Sequence, residues 1–385
     1  MSGRTLAHED FTEAAAVWPE PENGRLFCSV PWLSAFRGRM EGAHHWFLAS
    51  EQGCAPEPAV AAMGTVVDEV EPTEAKNIRT LLTSPCPSMR TLRRLNLDRL
   101  DALASHSPPW GAWAPSLVVT YPGFECLVAR SPSARQGDVD VLVRTILDQA
   151  VASGWRTVAF LFVPTSEREL HASLLSAGLI PFYNATSSVL SLPDGGYEEY
   201  LASLGRKQRA DARRLTRLAA ELGWTFADGG LDETSLDAMV RMRLDERRKH
   251  GRRVDRTHES MVFETMREHF ADRVSVTMAS DADGPAGFSL YLAAEPGTEH
   301  AWTQGVRGDL RQSRDMYLAC TYYQAIERAY ERAVCRIDFG HGAEDTKRQR
   351  GCEPALLTGY VWSLDRRVRE YVERVSQEVF HDGLS

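Results

Sequence analysis

Apolar positions in the first half of the chain recur first at helical and then at strand spacing. One set is spaced three or four residues apart and predicts a helix over 138–152. Its members are Val139, Leu142, Ile146 and Ala150. The segment RTVAFLFV at 156–163, which is apolar from Val158 onward, predicts a buried strand. A second helix over 167–177, after a loop that begins at Pro164, and a strand over 186–192 complete a helix–strand–helix–strand unit.

The same series returns in the second half of the chain. The pattern predicts a helix over 314–332 and a strand over 334–339, followed by a loop over 340–344. A short helical turn through Lys347 then leads to a closing strand over 356–364. The offset from the first unit stays at about 170–180 residues. The two closing strands end in Val-Leu-Ser-Leu and Val-Trp-Ser-Leu.

Similarity at a fixed long offset indicates a duplicated domain. We therefore expect two α/β domains, over residues 1–193 and 194–385, each with a mixed central sheet flanked by helices. The alternative is coincidence, since helices and strands alternate in any α/β protein.

A basic segment follows the turn-rich junction at 193–196. One long helix is predicted over 197–222, and it ends at Gly223. Its basic residues are Arg206, Lys207, Arg209, Arg213, Arg214 and Arg217. Further elements are a helix over 237–250 and strands over 224–226, 274–278 and 286–293.

Two stretches resemble the second domain of the Fem-type and BioF2-like N-acyltransferases. The opening YEEYLASLGRKQR matches a Tyr-x-x-Tyr-Leu-x-x-Leu segment followed by an Arg-Lys-x-Arg helix. Further along, Asp338-Phe339-Gly340 and the Lys-x-x-x-Gly pattern of 347–351 match the closing portion, although Arg350 stands where an aromatic residue is usual. The resemblance implies two tandem GNAT-like (acetyltransferase-fold) domains. It also implies transfer of an acyl or aminoacyl group to an amine, with aminoacyl-tRNA or acyl-CoA as donor and no bound cofactor.

Composition narrows the class of protein. A hydrophobic fraction of 43% and a charged fraction of 25% are typical of a globular protein. No apolar stretch approaches the roughly 20 residues of a membrane span, and the N-terminal residues lack signal-peptide features, so a cytoplasmic location is expected. The seven cysteines are scattered without a CxxC pair, which favours reduced thiols over disulfides or a metal site. The adjacent pair His44-His45 does not suggest a metal site either.

Two features bear on the donor. The stretch over 304–316, QGVRGDLRQSRDM, lacks the Gly-x-Gly/Ala turn that cradles the pyrophosphate of CoA, although Arg307, Arg311 and Arg314 keep it basic. Residues 206–256 carry 14 Lys and Arg against 9 Asp and Glu, in a chain of net charge −9. This favours aminoacyl-tRNA as donor, with the basic helix contacting phosphates, and acyl-CoA as the alternative. The competing interpretation of that helix is an ordinary solvated face.

Aminolysis of an ester requires a proton acceptor for the amine and a donor for the oxyanion. Asp338, at the end of a predicted strand, is expected to orient or deprotonate the acceptor amine; its alternative role is to cap the turn before Gly340. Lys347, one of only four lysines beside 40 arginines, is expected to stabilise the oxyanion or to bind a phosphate; the alternative is an exposed lysine.

Substrate-binding residues are proposed from position and type. The set is Trp302, Gln304, Arg311, Tyr317, Tyr323, His341 and Glu344. The first half offers only Arg37, Arg39 and the loop 121–123.

Three functions compete at this point. They are an aminoacyl-tRNA-dependent transferase acting on a small amine or on a cell-wall or natural-product precursor, an acyl-CoA-dependent N-acyltransferase, and a non-catalytic binding protein. Fem-type enzymes often carry a long helical hairpin in the second domain, whereas 227–273 reads as short segments, which favours a small acceptor.

Overall fold

The computed structural model describes residues 4–39, 42–51, 57–68, 76–84, 96–123, 125–231, 233–251 and 254–379. The strands are β1 (Arg4–His8), β2 (Ala43–Ser50), β3 (Val60–Val67), β4 (Ser116–Val119), β5 (Ala129–Arg130), β6 (Thr157–Pro164), β7 (Ile180–Ser191), β8 (Thr225–Gly229), β9 (Val274–Asp281), β10 (Gly284–Glu295), β11 (Thr298–Val306), β12 (Arg336–Asp338) and β13 (Glu353–Ser363).

Helices occupy most of the remaining described chain. They are α1 (Phe11–Ala15), α2 (Val30–Phe36), α3 (Ile78–Thr83), α4 (Leu97–Ala104), α5 (Trp110–Trp113), α6 (Gln136–Ala152), α7 (Arg168–Ser176), α8 (Gly196–Ser203), α9 (Arg206–Glu221), α10 (Glu233–Lys249), α11 (Arg256–Phe270), α12 (Ser313–Leu318), α13 (Ala325–Glu331), α14 (Glu344–Arg348) and α15 (Arg366–Val379). A π-helical segment, Ala319–Gln324, joins α12 to α13.

The chain forms two compact units with the same sheet topology. Unit 1 comprises Met1–Thr186 with Ala355–Ser385, and unit 2 comprises Ser187–Pro354. The strand order is β1-β2-β3-β4-β6-β13 in unit 1 and β8-β9-β10-β11-β12-β7 in unit 2. In both series three antiparallel pairings are followed by a parallel and then an antiparallel one. Equal order and equal strand senses show that one α/β fold occurs twice.

These units differ from the ranges 1–193 and 194–385 in where the closing strand comes from. Strand β13 pairs with β6, in register from Leu357 opposite Pro164 to Ser363 opposite Thr157, and therefore completes the sheet of unit 1. Unit 2 is closed instead by the end of β7, where Leu190 lies opposite Ile337. The two similar tetrapeptides thus lie in equivalent sheet positions. Hydrogen bonding between strands far apart in sequence decides this assignment.

The central strands are buried on both faces, as their apolar sequences predict. In β6, Phe160 belongs to the apolar cluster that contains Val139 and Leu142 of α6, whereas Leu161 belongs to the cluster that contains Val368 of α15. In unit 2, Ile337 of β12 packs in one cluster with residues of α13 and the π-helical segment. These layers hold the ends of the strands rigidly in place.

Two predictions about unit 2 are corrected by the structure. The single helix predicted over 197–222 is two helices, because Leu204 and Gly205 are extended and Leu204 turns into the core. Glycine is a poor helix former, so the break costs little. The range 227–273 is not filled by short segments: α10 and α11 contain 17 and 15 residues. Gly305 lets α10 approach β11, because a Cβ there would lie 2.8 Å from the Met242 carbonyl carbon.

Candidate active site

Asp338 ends β12 and holds the loop that follows it. Its buried carboxylate accepts hydrogen bonds from the Ser187 hydroxyl and, at 2.7 Å, from the Gly340 N–H. The backbone of Ser188 bonds to the same loop: its N–H donates to the Gly340 carbonyl at 3.1 Å, and its carbonyl accepts from the Phe339 N–H at 2.8 Å. The loop is therefore fastened to β7 by both backbone and side chain.

The backbone of this loop reverses direction at residues in the left-handed conformation. Gly340 and Gly342 have φ of 67° and 76°, which glycine adopts without strain. Ala343 has φ of 53°, which is unfavourable for a residue with a Cβ. This geometry reverses the chain so that α14 starts at Glu344, whose carboxylate accepts from the Gly342 N–H at 3.1 Å.

Lys347 on α14 points back to that loop. Its residue is only 5% exposed, and its Nζ donates to the carbonyls of Gly340 at 2.8 Å and His341 at 2.9 Å. Burial lowers the pKa of Lys347 to about 8, although the negative charges of Asp338 and Glu344 partly offset the effect. Asp338 and Lys347 thus bind opposite ends of one residue, Gly340, and the structure brings together the predicted pair. His341, in the same loop, is exposed.

The other predicted substrate-binding residues are more dispersed. Trp302 and Gln304 lie half-buried on β11, which pairs with β12 only from Thr298 to His300. Tyr317 on α12 is half-buried, with its ring 5.9 Å from that of Tyr322, and burial raises the pKa of Tyr317.

In the stretch over 304–316, where the sequence lacks the turn that cradles CoA, the Gly308 amide and the Arg307 side chain are already bonded within the protein. The Gly308 N–H donates to an Asp245 carboxylate oxygen at 3.0 Å. Arg307 pairs with Asp281 at 2.7 Å and with Asp309 at 2.9 Å. Arg311, by contrast, is exposed. The Gly308 N–H, which would have to donate to a pyrophosphate, therefore already donates to the Asp245 carboxylate.

The five predicted phosphate-binding residues of α9 fall into two groups. Arg206, Lys207 and Arg213 are exposed. Arg209 instead donates to the Ala202 and Leu204 carbonyls, at 2.9 and 3.4 Å, at the end of α8. Arg214 pairs with Asp211 and Asp315. Two more basic residues of the predicted window, 252 and 253, lie outside the described residues, as do Cys54 and Cys86.

Alongside α9 lies a cavity of about 610 Å³ with a strongly basic lining. We refer to it as the basic cavity. Its lining residues are Lys207, Gln208, Ala210, Asp211, Arg214, Arg217, Arg314, Tyr323, Gln349 and Arg350. Five of these side chains are cationic and one is anionic. Of the residues predicted to bind substrate or phosphate, Tyr323, Lys207 and Arg214 line it.

Arg350, which lines the basic cavity, was not among the site residues proposed from the sequence. Only its unusual place in the Lys-x-x-x-Gly pattern pointed to it. The Arg350 N–H donates to the Lys347 carbonyl at 2.8 Å, so the basic cavity begins one turn beyond the buried lysine.

Of the residues proposed in the first half, Tyr121 and Arg37 make contacts within unit 1. The Tyr121 hydroxyl donates to the Ala61 carbonyl at 3.2 Å inside the core. The Arg37 guanidinium lies 4.2 Å from the centre of the Phe11 ring. Arg39 ends a short 3₁₀ helix, and its side chain is outside the described part of the structure. In the loop of unit 1 that corresponds to 340–344, Glu167 is buried and bound by Arg25 and Arg130.

The fold defines the structural class of the protein. Two α/β units with one topology, each with a loop between the parallel-paired strand and the helix that follows it, are those of a tandem GNAT-like protein. The chain belongs to the FemAB-like family, described as peptidoglycan biosynthesis/recognition, whose model matches residues 114–382. The resemblance found in the sequence is thereby confirmed. No curated protein matches the chain significantly in sequence.

Solved structures share the fold at low sequence identity. FemX is 10% identical and covers 97% of this chain and 100% of its own, with a TM-score of 0.59. A conserved protein of unknown function from Bacteroides thetaiotaomicron VPI-5482 is 9% identical over 94% and 100% of the two chains, with a TM-score of 0.55. L-PGS from Bacillus licheniformis is 10% identical over 95% and 99%, with a TM-score of 0.51. Among the described helices, none is long and apolar enough to cross a membrane.

Proposed function

We propose that this protein is an N-acyltransferase that moves an aminoacyl group from aminoacyl-tRNA to an amine of a small molecule or of a cell-wall or natural-product precursor. Membership of the FemAB-like family supports transfer chemistry. The observation that carries the choice of donor is the basic cavity beside α9, where five cations face one carboxylate in a chain of net charge −9. Such a surface attracts a polyanion.

In the proposed reaction Asp338 handles the proton and Lys347 stabilises the oxyanion. The amine nitrogen bonds to the ester carbonyl carbon, and the bond from that carbon to the ribose oxygen breaks. Asp338 orients the amine and accepts its proton, and it returns this proton to the ribose oxygen as that oxygen leaves. With a pKa of about 8, Lys347 is about nine-tenths protonated at pH 7. An ammonium has three N–H donors, and the two hydrogen bonds of Lys347 leave the third for the oxyanion.

The donor is tested by a transfer assay. Purified protein is incubated with radiolabelled aminoacyl-tRNA, or with acetyl-CoA, together with a panel of amines. We expect label to move from tRNA to an amine. The rate of this transfer should be at least about 100-fold lower in Lys347→Met. Transfer from acetyl-CoA alone would replace this donor by the alternative, and transfer from neither would leave a binding protein.

The basic helix is tested by charge reversal at its exposed positions. In the triple variant R206E/K207E/R213E, tRNA binding should weaken and its dependence on salt should flatten by about two to three in log–log slope. Arg209 is left intact because it caps α8. The matched control, R366E/R367E/R374E, makes the same change of charge on the exposed face of α15. Equal binding by the two variants would remove α9 from the donor site.

A further inference from the structure

Arg350 is a buried cation without a close anionic partner. Its residue is 3% exposed, and its guanidinium lies 4.9 Å from the centre of the Tyr322 ring and 5.6 Å from that of Tyr323. One terminal nitrogen donates to the Thr346 carbonyl at 2.6 Å, and the other is 3.9 Å from Asp211. Within the described chain its buried Nε has no hydrogen-bond partner. Burying an arginine in this way is costly unless a ligand completes the pairing.

The Arg350 guanidinium lines the basic cavity and is its most deeply buried charge. Lys207, Arg217 and Arg314 add exposed cations around it. The only lining carboxylate, that of Asp211, is already bonded to Arg214. The cavity therefore has an excess of positive charge that extends from its surface to a buried, planar donor.

We propose that the basic cavity is a phosphate-ester site in which Arg350 is the buried anchor. A guanidinium can donate to two oxygens of one phosphate, and the cation–π contacts with Tyr322 and Tyr323 help to hold it in place. Several cations around one cavity suit a ligand with more than one negative charge, such as a diphosphate or consecutive phosphodiesters, better than a single carboxylate. The volume lies within the range of small-molecule sites, so it accommodates a nucleotide-sized group.

As a subsite of the transferase, this site rests on the proposed function, but phosphate binding is tested without any transfer. Inorganic pyrophosphate is titrated into the full chain by calorimetry at low salt, with citrate as the carboxylate comparison. Arg350→Met should raise the Kd of pyrophosphate by at least about tenfold, and Arg350→Lys should raise it by less, because it keeps the charge and loses the fork. Arg241→Met, at an exposed arginine on α10 outside the cavity, is the matched control.

Variants on the cavity surface protect the test against misfolding at the buried position. Arg217→Met and Arg314→Met change exposed side chains, and each should weaken pyrophosphate binding about two- to fivefold. Wild-type affinity in both of these variants and in Arg350→Met, or tighter binding of citrate than of pyrophosphate, would overturn the proposal.

Competition identifies the source of the phosphate. Displacement of pyrophosphate by unacylated tRNA assigns the cavity to the donor, and displacement by CoA assigns it to the alternative donor. If neither displaces it while Arg350→Met still abolishes binding, the phosphate site stands and belongs to a phosphorylated acceptor. Absence of aminoacyl transfer together with intact pyrophosphate binding would contradict the proposed function alone.

Discussion

Replacing Lys347 by methionine should change how the stability of the protein depends on pH. Burial lowers the pKa of Lys347 from 10.5 to about 8 in the folded state. The folded state therefore disfavours the charged amine, and the penalty is full below pH 8. As pH rises from 8 to 10.5, the folded chain has released the proton that the unfolded chain still binds, so stability rises.

The size of the effect follows from the two pKa values. The penalty amounts to about 3 kcal/mol at pH 7 and to about 1 kcal/mol at pH 9.5, a difference of about 2 kcal/mol. Methionine has no proton to release, so the variant lacks this gain. The loss of the two hydrogen bonds to the Gly340 and His341 carbonyls also destabilises the variant, but by an amount that does not depend on pH.

The assay is urea unfolding followed by circular dichroism, at pH 7 and at pH 9.5, for both proteins. The free energy of unfolding of the wild type should gain about 2 kcal/mol relative to Lys347→Met between the two pH values. The pH-dependent contributions of the other titratable groups are the same in both proteins and cancel in that difference. Parallel pH profiles for the two proteins would refute a buried Lys347 with a lowered pKa.

Three further substitutions test the site and the fold. Asp338→Asn keeps an oxygen for the Ser187 and Gly340 donors but removes the negative charge. The rate of aminoacyl transfer in a steady-state assay should therefore fall by about 100-fold or more, with no change in Tm. Unchanged turnover would exclude Asp338 as the base. Gly359→Ala places a Cβ 2.2 Å from the Phe182 ring, and urea unfolding should show a loss of about 1–3 kcal/mol. Ala343→Gly relieves a left-handed residue and should stabilise the protein by up to about 1 kcal/mol in the same measurement, whereas a destabilised variant would contradict strain at that position.

Local patterns predicted most elements of the fold. The spacing of Val139 and Leu142 predicted α6 to within two residues at each end. The largely apolar segment 156–163 predicted β6. The break between α8 and α9 was not predicted, because the apolar positions on either side of Gly205 fit one continuous helix. A single glycine disfavours a helix interior but does not by itself end a helix, and the burial of Leu204 is the tertiary contribution that favours the break.

The candidate site was predictable where its residues are close in sequence. Asp338 and Lys347 are joined by one short loop, so the motif already placed them together. The surroundings of the proposed phosphate-binding residues were not predictable from the sequence. Charge alone does not distinguish Arg213, which is exposed, from Arg209, which bonds to backbone carbonyls of α8. Such pairing depends on where neighbouring segments lie.

By itself, the sequence determined that there are two α/β units, their strand and helix periods, and the loop that connects Asp338 to Lys347, because these depend on short-range spacing. Only the tertiary structure decided that β13 completes unit 1, that Asp245 fills the Gly308 amide, and that Arg350 is buried on two tyrosines beside the basic cavity. Each of these joins residues distant in the chain. Desolvation and partner geometry, rather than residue type, then set which charges remain available to a substrate.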